Sequence, residues 1–199
     1  MNSSKGFTII ELVISIFILS VALVGIFSAF SVVIILTSDS ADRLTATYLA
    51  QEGMEIVRNI RDTNWLNMDA ASPANATWVD GLTNPASCTI DAPCQADYNA
   101  KSMSYYVPGN YLYLNAAGFY VYNPTDSSAT KTKFEREIII TPIQDVDGSS
   151  DHIIKVKVQV SWDEKATILN PGFSANTCGA YNCITTEETL YDWYNYVHQ

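Results

Sequence analysis

The sequence has few of the residues on which catalytic and nucleic-acid-binding proteins usually depend. Its 199 residues include 11 Lys and Arg against 21 Asp and Glu, and only 2 His. A net charge of -10 repels a phosphate backbone, so the chain lacks the basic surface of a general nucleic-acid binder. It also lacks a nucleophile motif, a phosphate-cradling glycine loop and a histidine-rich metal set, so we do not expect an enzyme.

The four cysteines form two close pairs, Cys88/Cys94 and Cys178/Cys183. Neither spacing is that of a zinc site, and both histidines are distant from the pairs in sequence. We therefore predict disulfides, with these two local links favoured over crossed ones because short loops close more readily. Disulfides indicate export to an oxidising compartment.

Charge is almost absent from residues 7–36, where Glu11 is the only ionisable side chain. As a helix this run would measure roughly 45 Å, which exceeds the bilayer core of about 30 Å. A secretory signal has an apolar stretch of only about 7–15 residues. A plain membrane anchor leaves Glu11 unexplained, because a charge at mid-bilayer costs up to about 3 kcal/mol. Lys5 before the run favours a cytoplasmic N-terminus.

The residues from Lys5 to Leu12, reading KGFTIIEL, resemble the processing site of type IV prepilins and of the pseudopilins of type II secretion systems. In that family a membrane peptidase cuts after the Gly and methylates the new N-terminal Phe, and a Glu follows shortly afterwards. The resemblance implies cleavage between Gly6 and Phe7, N-methylation of Phe7 and an assembly role for Glu11. It also implies three partners: prepilin peptidase, other pilin or pseudopilin subunits, and an inner-membrane assembly platform.

Two positions depart from the pattern of many major pilins. Ser28 stands where those proteins carry a Pro, and Ser20 stands where they often carry a Gly. These departures favour a minor pilin or a pseudopilin over a major subunit.

The resemblance implies an α+β type IV pilin fold, in which a long N-terminal helix packs on an antiparallel β-sheet head. We assign residues 1–6 to a leader peptide, 7–36 to a transmembrane assembly helix, 37–62 to its amphipathic continuation and 63–199 to the head with both cysteine loops. Three-and-four spacing predicts one buried helix stripe that includes Gly53. The stripe consists of Ala41, Leu44, Tyr48, Leu49, Ile56, Val57 and Ile60.

β-Branched and aromatic segments predict an antiparallel sheet of four to five strands. The segments are Ser104–Val107, Tyr111–Leu114, Gly118–Tyr122, Phe134–Thr141 and Ile153–Trp162, and the tail 187–196 adds a short strand or helix. Strict alternation in the fifth segment predicts one buried and one wet face. Glu135 and Glu137 share the polar, wet side of the fourth segment. We expect Glu137 to pair with Lys155 and Glu135 with Lys157, which requires a wide loop over residues 143–151.

Two loop regions are candidates for binding. Trp65, Trp78 and the Cys88–Cys94 loop could form a recognition face, or the aromatic residues could pack onto the core. Asp145, Asp147 and Asp151 could bind calcium on an acidic turn, although a solvated turn has the same composition. We expect no other cofactor.

The sequence therefore predicts a structural subunit of a type IV pilus-like filament. It would lie in the cytoplasmic membrane as a single-pass precursor and outside the cytoplasm, in a cell-surface pilus, after assembly. The alternative is a membrane-tethered extracytoplasmic binding protein that does not polymerise.

Overall fold

A computed structural model describes residues 6–69, 77–83, 88–122, 124, 127–144, 152–163, 178 and 182–193. The chain divides into two compact units, Met1–Asp42 and Arg43–Gln199. A helix, α1, runs over Ile9–Asp69 and so belongs to both units. The predicted end of this helix at Asp62 falls short of the observed end at Asp69.

In the described part of the chain, eight strands follow α1, all of them in the second unit. They are β1 (Cys94–Gln95), β2 (Ser104–Tyr105), β3 (Tyr113–Leu114), β4 (Tyr120–Val121), β5 (Thr130–Lys131), β6 (Phe134–Ile143), β7 (Ile153–Trp162) and β8 (Cys183–Tyr191). Five form a sheet in the order β2-β1-β6-β7-β8, and three form a small sheet in the order β4-β3-β5. Every pairing is antiparallel. The α+β prediction is confirmed.

The core of the second unit lies between α1 and the five-stranded sheet. On β7, Ile154, Val156, Val158, Val160 and Trp162 are buried and alternate with less buried residues, as predicted. The helix contributes Leu49, Ala50, Met54, Val57 and Ile60 to the same cluster. Apolar side chains removed from water on both elements stabilise this packing.

The predicted helix stripe is only partly right. Leu49, Ile56, Val57 and Ile60 are buried, whereas Ala41, Leu44 and Tyr48 are exposed. Ala46, outside the predicted stripe, is buried in the core. Apolar residues at helical spacing therefore do not by themselves mark the buried face of this part of α1.

A buried arginine connects the sheet to the helix. Arg136 on β6 is 0% exposed. Its Nη1 donates to the Leu49 carbonyl oxygen of α1 at 3.1 Å, and its Nη2 donates to the Ala96 carbonyl oxygen at 3.0 Å. The same Nη1 lies 3.5 Å from a carboxylate oxygen of Glu52. These contacts offset part of the large cost of burying a guanidinium group.

The lack of a side chain at Gly53 makes room for the Arg136 side chain. A Cβ atom at this position would lie 2.8 Å from Val158 Cγ1 and 3.0 Å from Arg136 Cδ. The first distance is too short for two carbon atoms and the second is tight, so any side chain here requires Val158 and Arg136 to shift. A Gly within a helix costs about 1 kcal/mol relative to Ala, and close packing gives a reason to retain it here.

The predicted register between β6 and β7 is wrong. Glu137 lies opposite Gln159, and Lys155 lies opposite Thr141. The predicted wide connection is confirmed, because the closing pair is Ile143 with Ile153. The two registers differ by four residues, so both keep the same faces buried. The observed register pairs all ten residues of β6 with β7, whereas the predicted one would place the last four residues of β7 opposite residues 130–133, before β6 begins. An exposed Glu–Lys pair contributes at most about 1 kcal/mol, too little to outweigh that loss.

Candidate functional site

The helix begins immediately after the predicted cleavage bond. Thr8 precedes the first helical residue, Ile9, and its carbonyl oxygen accepts from the Glu11 and Leu12 N–H groups at 3.1 and 3.2 Å. The Glu11 N–H also lies 3.4 Å from Thr8 Oγ1. Thr8 and Glu11 have the spacing of a capping box, and an acidic residue in the first turn complements the helix dipole.

Gly6 and Phe7 lie outside the helix and are exposed. A Cβ atom on Gly6 would meet nothing within 4 Å, and the Phe7 side chain is 75% exposed. The fold of this chain therefore gives no reason for a glycine at position 6. A requirement for glycine there must come from a molecule that handles this segment.

The described residues of the first unit present an apolar surface that they do not themselves cover. Among the residues that the structure describes, one helix, over Ile9–Met68, is long and apolar enough to cross a membrane, with a mean hydropathy of 2.8 over an apolar stretch that is 0% buried. Its hydroxyl groups are satisfied internally. Ser15, Ser28, Ser31 and Thr37 each donate to the carbonyl oxygen four residues earlier, at 2.7 to 3.0 Å. Glu11 is the only ionisable side chain in residues 7–36.

Trp65 and Trp78 do not form a recognition face. Both are buried, with ring centroids 6.3 Å apart, and Trp65 Nε1 donates to Asp192 Oδ1 at 3.3 Å. Trp193 packs edge-on against Trp65 at 4.7 Å, and the Arg61 guanidinium lies 4.5 Å from the centre of the Trp65 ring. These aromatic residues hold the end of α1 against the chain that follows β8.

The cysteines pair locally in the structure. Cys88 and Cys94 are buried and joined at 2.05 Å, and the Cα atoms of the joined Cys178 and Cys183 are 5.1 Å apart. Ile90, inside the first loop, is 72% exposed. The first pair thus anchors an exposed loop to the core.

The calcium prediction is not addressed by the structure. Asp145, Asp147 and Asp151 lie outside the described residues. Within the described ranges, no group of three or more His, Cys, Asp and Glu side chains is arranged to hold a metal ion.

A cleft that the sequence does not predict lies on the sheet face opposite the helix. Because Arg136 points to the helix, its neighbours Glu135 and Glu137 lie on the other face of β6. Glu137 lines a cleft of about 360 Å³ together with Tyr105 and Tyr106. The sequence predicts both glutamates on a wet face, yet Glu135 is 1% exposed.

The groups at this cleft are electrostatically coupled. Tyr106 Oη donates to Glu135 Oε2, which also accepts from the Gly109 N–H at 3.2 Å. Burial raises the pKa of Tyr106, and the bond to Glu135 raises it further. Burial also raises the pKa of Glu137, while Lys157 lowers it and Glu135 raises it. Two carboxylates thus lie close together in a partly desolvated site.

Comparison with known proteins identifies the N-terminal segment. Residues 1–27 match the family model described as the prokaryotic N-terminal methylation motif. The chain therefore carries a type IV prepilin-like class III signal peptide, and its long helix and antiparallel sheets are consistent with a type IV pilin fold. No curated protein and no solved structure matches the chain significantly.

The motif defines the class of protein at a coarse level. It points to a structural, pilin-like protein that is anchored in a membrane by its N-terminal apolar helix. It also implies processing by prepilin peptidase and assembly with other pilins.

Proposed function

We propose that this chain is a minor pilin or pseudopilin, cut after Gly6, N-methylated on Phe7 and built into a type IV pilus-like filament through its N-terminal helix. The observation that carries the proposal is the methylation motif at residues 1–27 leading directly into an uncovered apolar helix. Before assembly the helix is covered by lipid. In the filament, the helices of neighbouring subunits cover it.

The accessible cleavage segment supports this proposal. The Gly6–Phe7 bond precedes the Thr8 cap, so a peptidase can bind it as irregular chain without unwinding α1. The open space around Gly6 supports a requirement set by the peptidase. After cleavage, Phe7 carries the new α-amino group, which is protonated at neutral pH and remains basic when methylated.

We propose that Glu11 fixes the axial register between the helices of neighbouring subunits in the filament. Its own Phe7 amine lies on the same chain, before the helix begins, while a neighbouring subunit can bring its amine to the Glu11 carboxylate. At about 4 Å and an effective dielectric constant of about 20, the attraction is roughly 4 kcal/mol before desolvation is subtracted. Even a small remainder selects one axial position among apolar helices that could otherwise slide.

The test compares Glu11→Ala and Glu11→Gln with wild type in the native cell. Both changes remove the charge, and Gln remains compatible with a capping box, so helix initiation is preserved in the second variant. We expect normal membrane insertion and at least a tenfold loss of the protein from sheared filaments. Insertion should not suffer, because a costly charge has been removed from the apolar segment.

Glu55→Gln is the matched control, since it removes an exposed carboxylate from the same helix within the second unit. It should enter filaments at the wild-type level. Wild-type incorporation of both Glu11 variants would refute the register role. Absence of the wild-type protein from sheared filaments would instead favour a tethered protein that does not polymerise.

A further inference from the structure

The five-stranded sheet ends in two edges of very different length. At one edge lies β2, which has only two residues, and at the other lies β8, which has nine. Very short edge strands are one way in which proteins prevent further strands from pairing with a sheet. The β2 edge is therefore poorly suited to pairing, whereas the β8 edge is long enough to bind another strand.

The register of β8 shows which of its backbone groups face away from the sheet. In an antiparallel pair, every second residue bonds to the neighbouring strand, and the residues between them direct their N–H and C=O groups to the other side. The Trp162 N–H donates to the Asn182 carbonyl oxygen at 3.2 Å, and the Asp192 N–H donates to the His152 carbonyl oxygen at 2.9 Å. Even-numbered residues of β8 therefore bond to β7, and odd-numbered residues face outward.

The outward-facing backbone groups form a row along the edge of the sheet. They belong to Thr185, Glu187, Thr189 and Tyr191, and the Tyr191 side chain is 55% exposed. In the part of the chain that the structure describes, no residue forms a hydrogen bond with the N–H and C=O groups of this row. The row can therefore bond to the backbone of one further extended strand.

The described edge lacks the features by which proteins commonly block such pairing. The sequence of β8, CITTEETLY, contains no Pro and no Lys, and nine consecutive pairs with β7 leave no bulge. Both of its charged residues have a cationic partner within the chain: Glu187 lies 2.6 Å from Lys155 Nζ, and Glu188 binds Arg58. Repulsion of an approaching strand by an isolated charge is thus avoided.

The charges on the helix side of β8 specify one residue of the partner. The Arg58 guanidinium of α1 bonds to Glu188 and also to Glu55. Two carboxylates therefore share one guanidinium, and the remaining negative charge favours a cation beside Glu188. On the opposite face of the strand, Glu187 has its own cation, Lys155, so no further cation is favoured there.

We propose that β8 binds an extended segment of a partner protein, which adds to the five-stranded sheet as a further antiparallel strand. The backbone of the segment supplies most of the hydrogen bonds, as in other cases of strand addition. Its side chains include a Lys or Arg opposite Glu188, with uncharged, β-branched residues on either side. This inference does not depend on filament assembly.

The test uses the full-length, ²H,¹⁵N-labelled protein in detergent micelles and follows amide hydrogen exchange by NMR. The probe is the peptide acetyl-Thr-Val-Thr-Lys-Thr-Val-Thr-amide, whose central Lys is designed to lie opposite Glu188. In the free protein, the outward N–H groups of Glu187 and Thr189 should exchange at least tenfold faster than the inward N–H groups of Thr186 and Glu188. Saturating peptide should slow the exchange of the outward groups at least tenfold.

Two altered peptides separate backbone pairing from charge. Methylation of the backbone nitrogen atoms of the two Thr residues beside Lys removes donors and keeps every side chain, so affinity should fall at least tenfold. Replacement of Lys by Glu keeps the backbone and should weaken binding about threefold, as expected for an exposed ion pair. Unchanged affinity of the methylated peptide would overturn strand pairing, and unchanged affinity of the Glu peptide would overturn the cation opposite Glu188.

A pair of variants locates the binding edge. Thr189→Pro removes one outward donor and no bond to β7, and proline is tolerated on edge strands. It should weaken peptide binding at least tenfold, whereas the matched control Thr189→Ala should stay within twofold of wild type. Equal affinities of these variants would place the peptide elsewhere and overturn the proposal. If Thr189→Pro does not fold, the methylated peptide provides the same test from the other strand.

Three further results would also overturn the proposal. Slow exchange of the Glu187 and Thr189 N–H groups in the free protein at every concentration would mean that the chain itself covers this edge. Slowing of their exchange as protein concentration rises without peptide would mean that a second copy binds there instead. Unchanged exchange of these groups with about 10 mM Lys peptide, tenfold above a weak Kd of about 1 mM, would contradict the proposal directly.

Discussion

The two units of this chain differ in whether their large apolar side chains are exposed or buried. In the first unit, large apolar side chains such as Ile9, Phe17 and Phe27 are more than half exposed. In the second unit, Leu49, Val158 and Trp162 are almost completely buried against one another. One sequence thus contains a surface that needs an external partner and a core that needs none.

The polar residues show the same contrast. In residues 7–36 of the first unit, serine and threonine hydroxyl groups such as those of Ser15 and Ser28 donate to the backbone of their own helix, and Glu11 is the only ionisable side chain. In the second unit, the buried Arg136 binds carbonyl groups from distant parts of the chain. Changes of the same chemical kind should therefore have different consequences in the two units.

The largest expected effect on folding comes from Arg136→Met. The variant keeps a long apolar stem but leaves the carbonyl groups of Leu49 and Ala96 without their side-chain donor. We expect a loss of about 3 kcal/mol in the free energy of unfolding. Arg58→Met removes a partly exposed pair with Glu188 and should cost less than about 1 kcal/mol.

Tryptophan fluorescence is the appropriate readout during denaturation, because all 4 tryptophans lie in the second unit. If Arg136→Met and Arg58→Met unfolded at the same denaturant concentration, the buried guanidinium would not be the link between helix and sheet.

A matched pair of glycines sharpens the comparison further. Gly53→Ala should destabilise the second unit by about 1–3 kcal/mol, because the new Cβ overpacks against Val158 and Arg136. Gly25→Ala lies on the same helix, where a Cβ meets nothing within 4 Å, and should leave that unfolding transition unchanged. Helix propensity alone favours Ala at both positions. A stabilising effect of Gly53→Ala would show that propensity outweighs close packing there.

The smallest effects concern two carboxylates with opposite pKa shifts. Burial raises the pKa of Glu137, so its favourable neutral form is lost as pH rises through that raised value. The bond to Lys155 lowers the pKa of Glu187, so its contribution is present above the ordinary carboxyl pKa and is lost on acidification.

Relative to wild type, the Tm of Glu137→Gln should therefore increase between about pH 4 and pH 7. The Tm of Glu187→Gln should decrease slightly over the same interval. Thermal scans at several pH values, again followed by tryptophan fluorescence, compare the two slopes. If the Tm differences of both variants changed in the same direction with pH, burial would not be the main influence on the pKa of Glu137.

Much of the fold could be predicted because its strongest elements have simple periodicity. The bounds of β7 agree with the prediction at both ends, since alternating apolar and polar residues mark a half-buried strand. The motif around Gly6 and Phe7 could also be predicted, because its residues are adjacent in the sequence. By contrast, β1 and β5 contain only two residues each and carry no periodic signal.

The buried polar groups could not be found in this way. Charged residues are rarely buried, so nothing in the sequence marks Arg136 or Glu135 as part of the core. Their burial depends on distant partners such as the Ala96 carbonyl and Tyr106. The register between β6 and β7 could not be predicted for a different reason: the predicted and observed pairings differ by four residues, so the alternation of buried and exposed residues fits both.

On this account, the first unit is cut by a peptidase and then assembles with other subunits. The identity of the mature N-terminus is the most direct test. Intact-mass analysis of the native protein should show a chain that lacks residues 1–6 and carries one methyl group on Phe7. Gly6→Val should retain the leader while the second unit keeps its wild-type unfolding transition, since no contact of the fold requires Gly6. A native chain that begins beyond residue 25 would contradict the account, as would one that retains the leader in a cell with active prepilin peptidase.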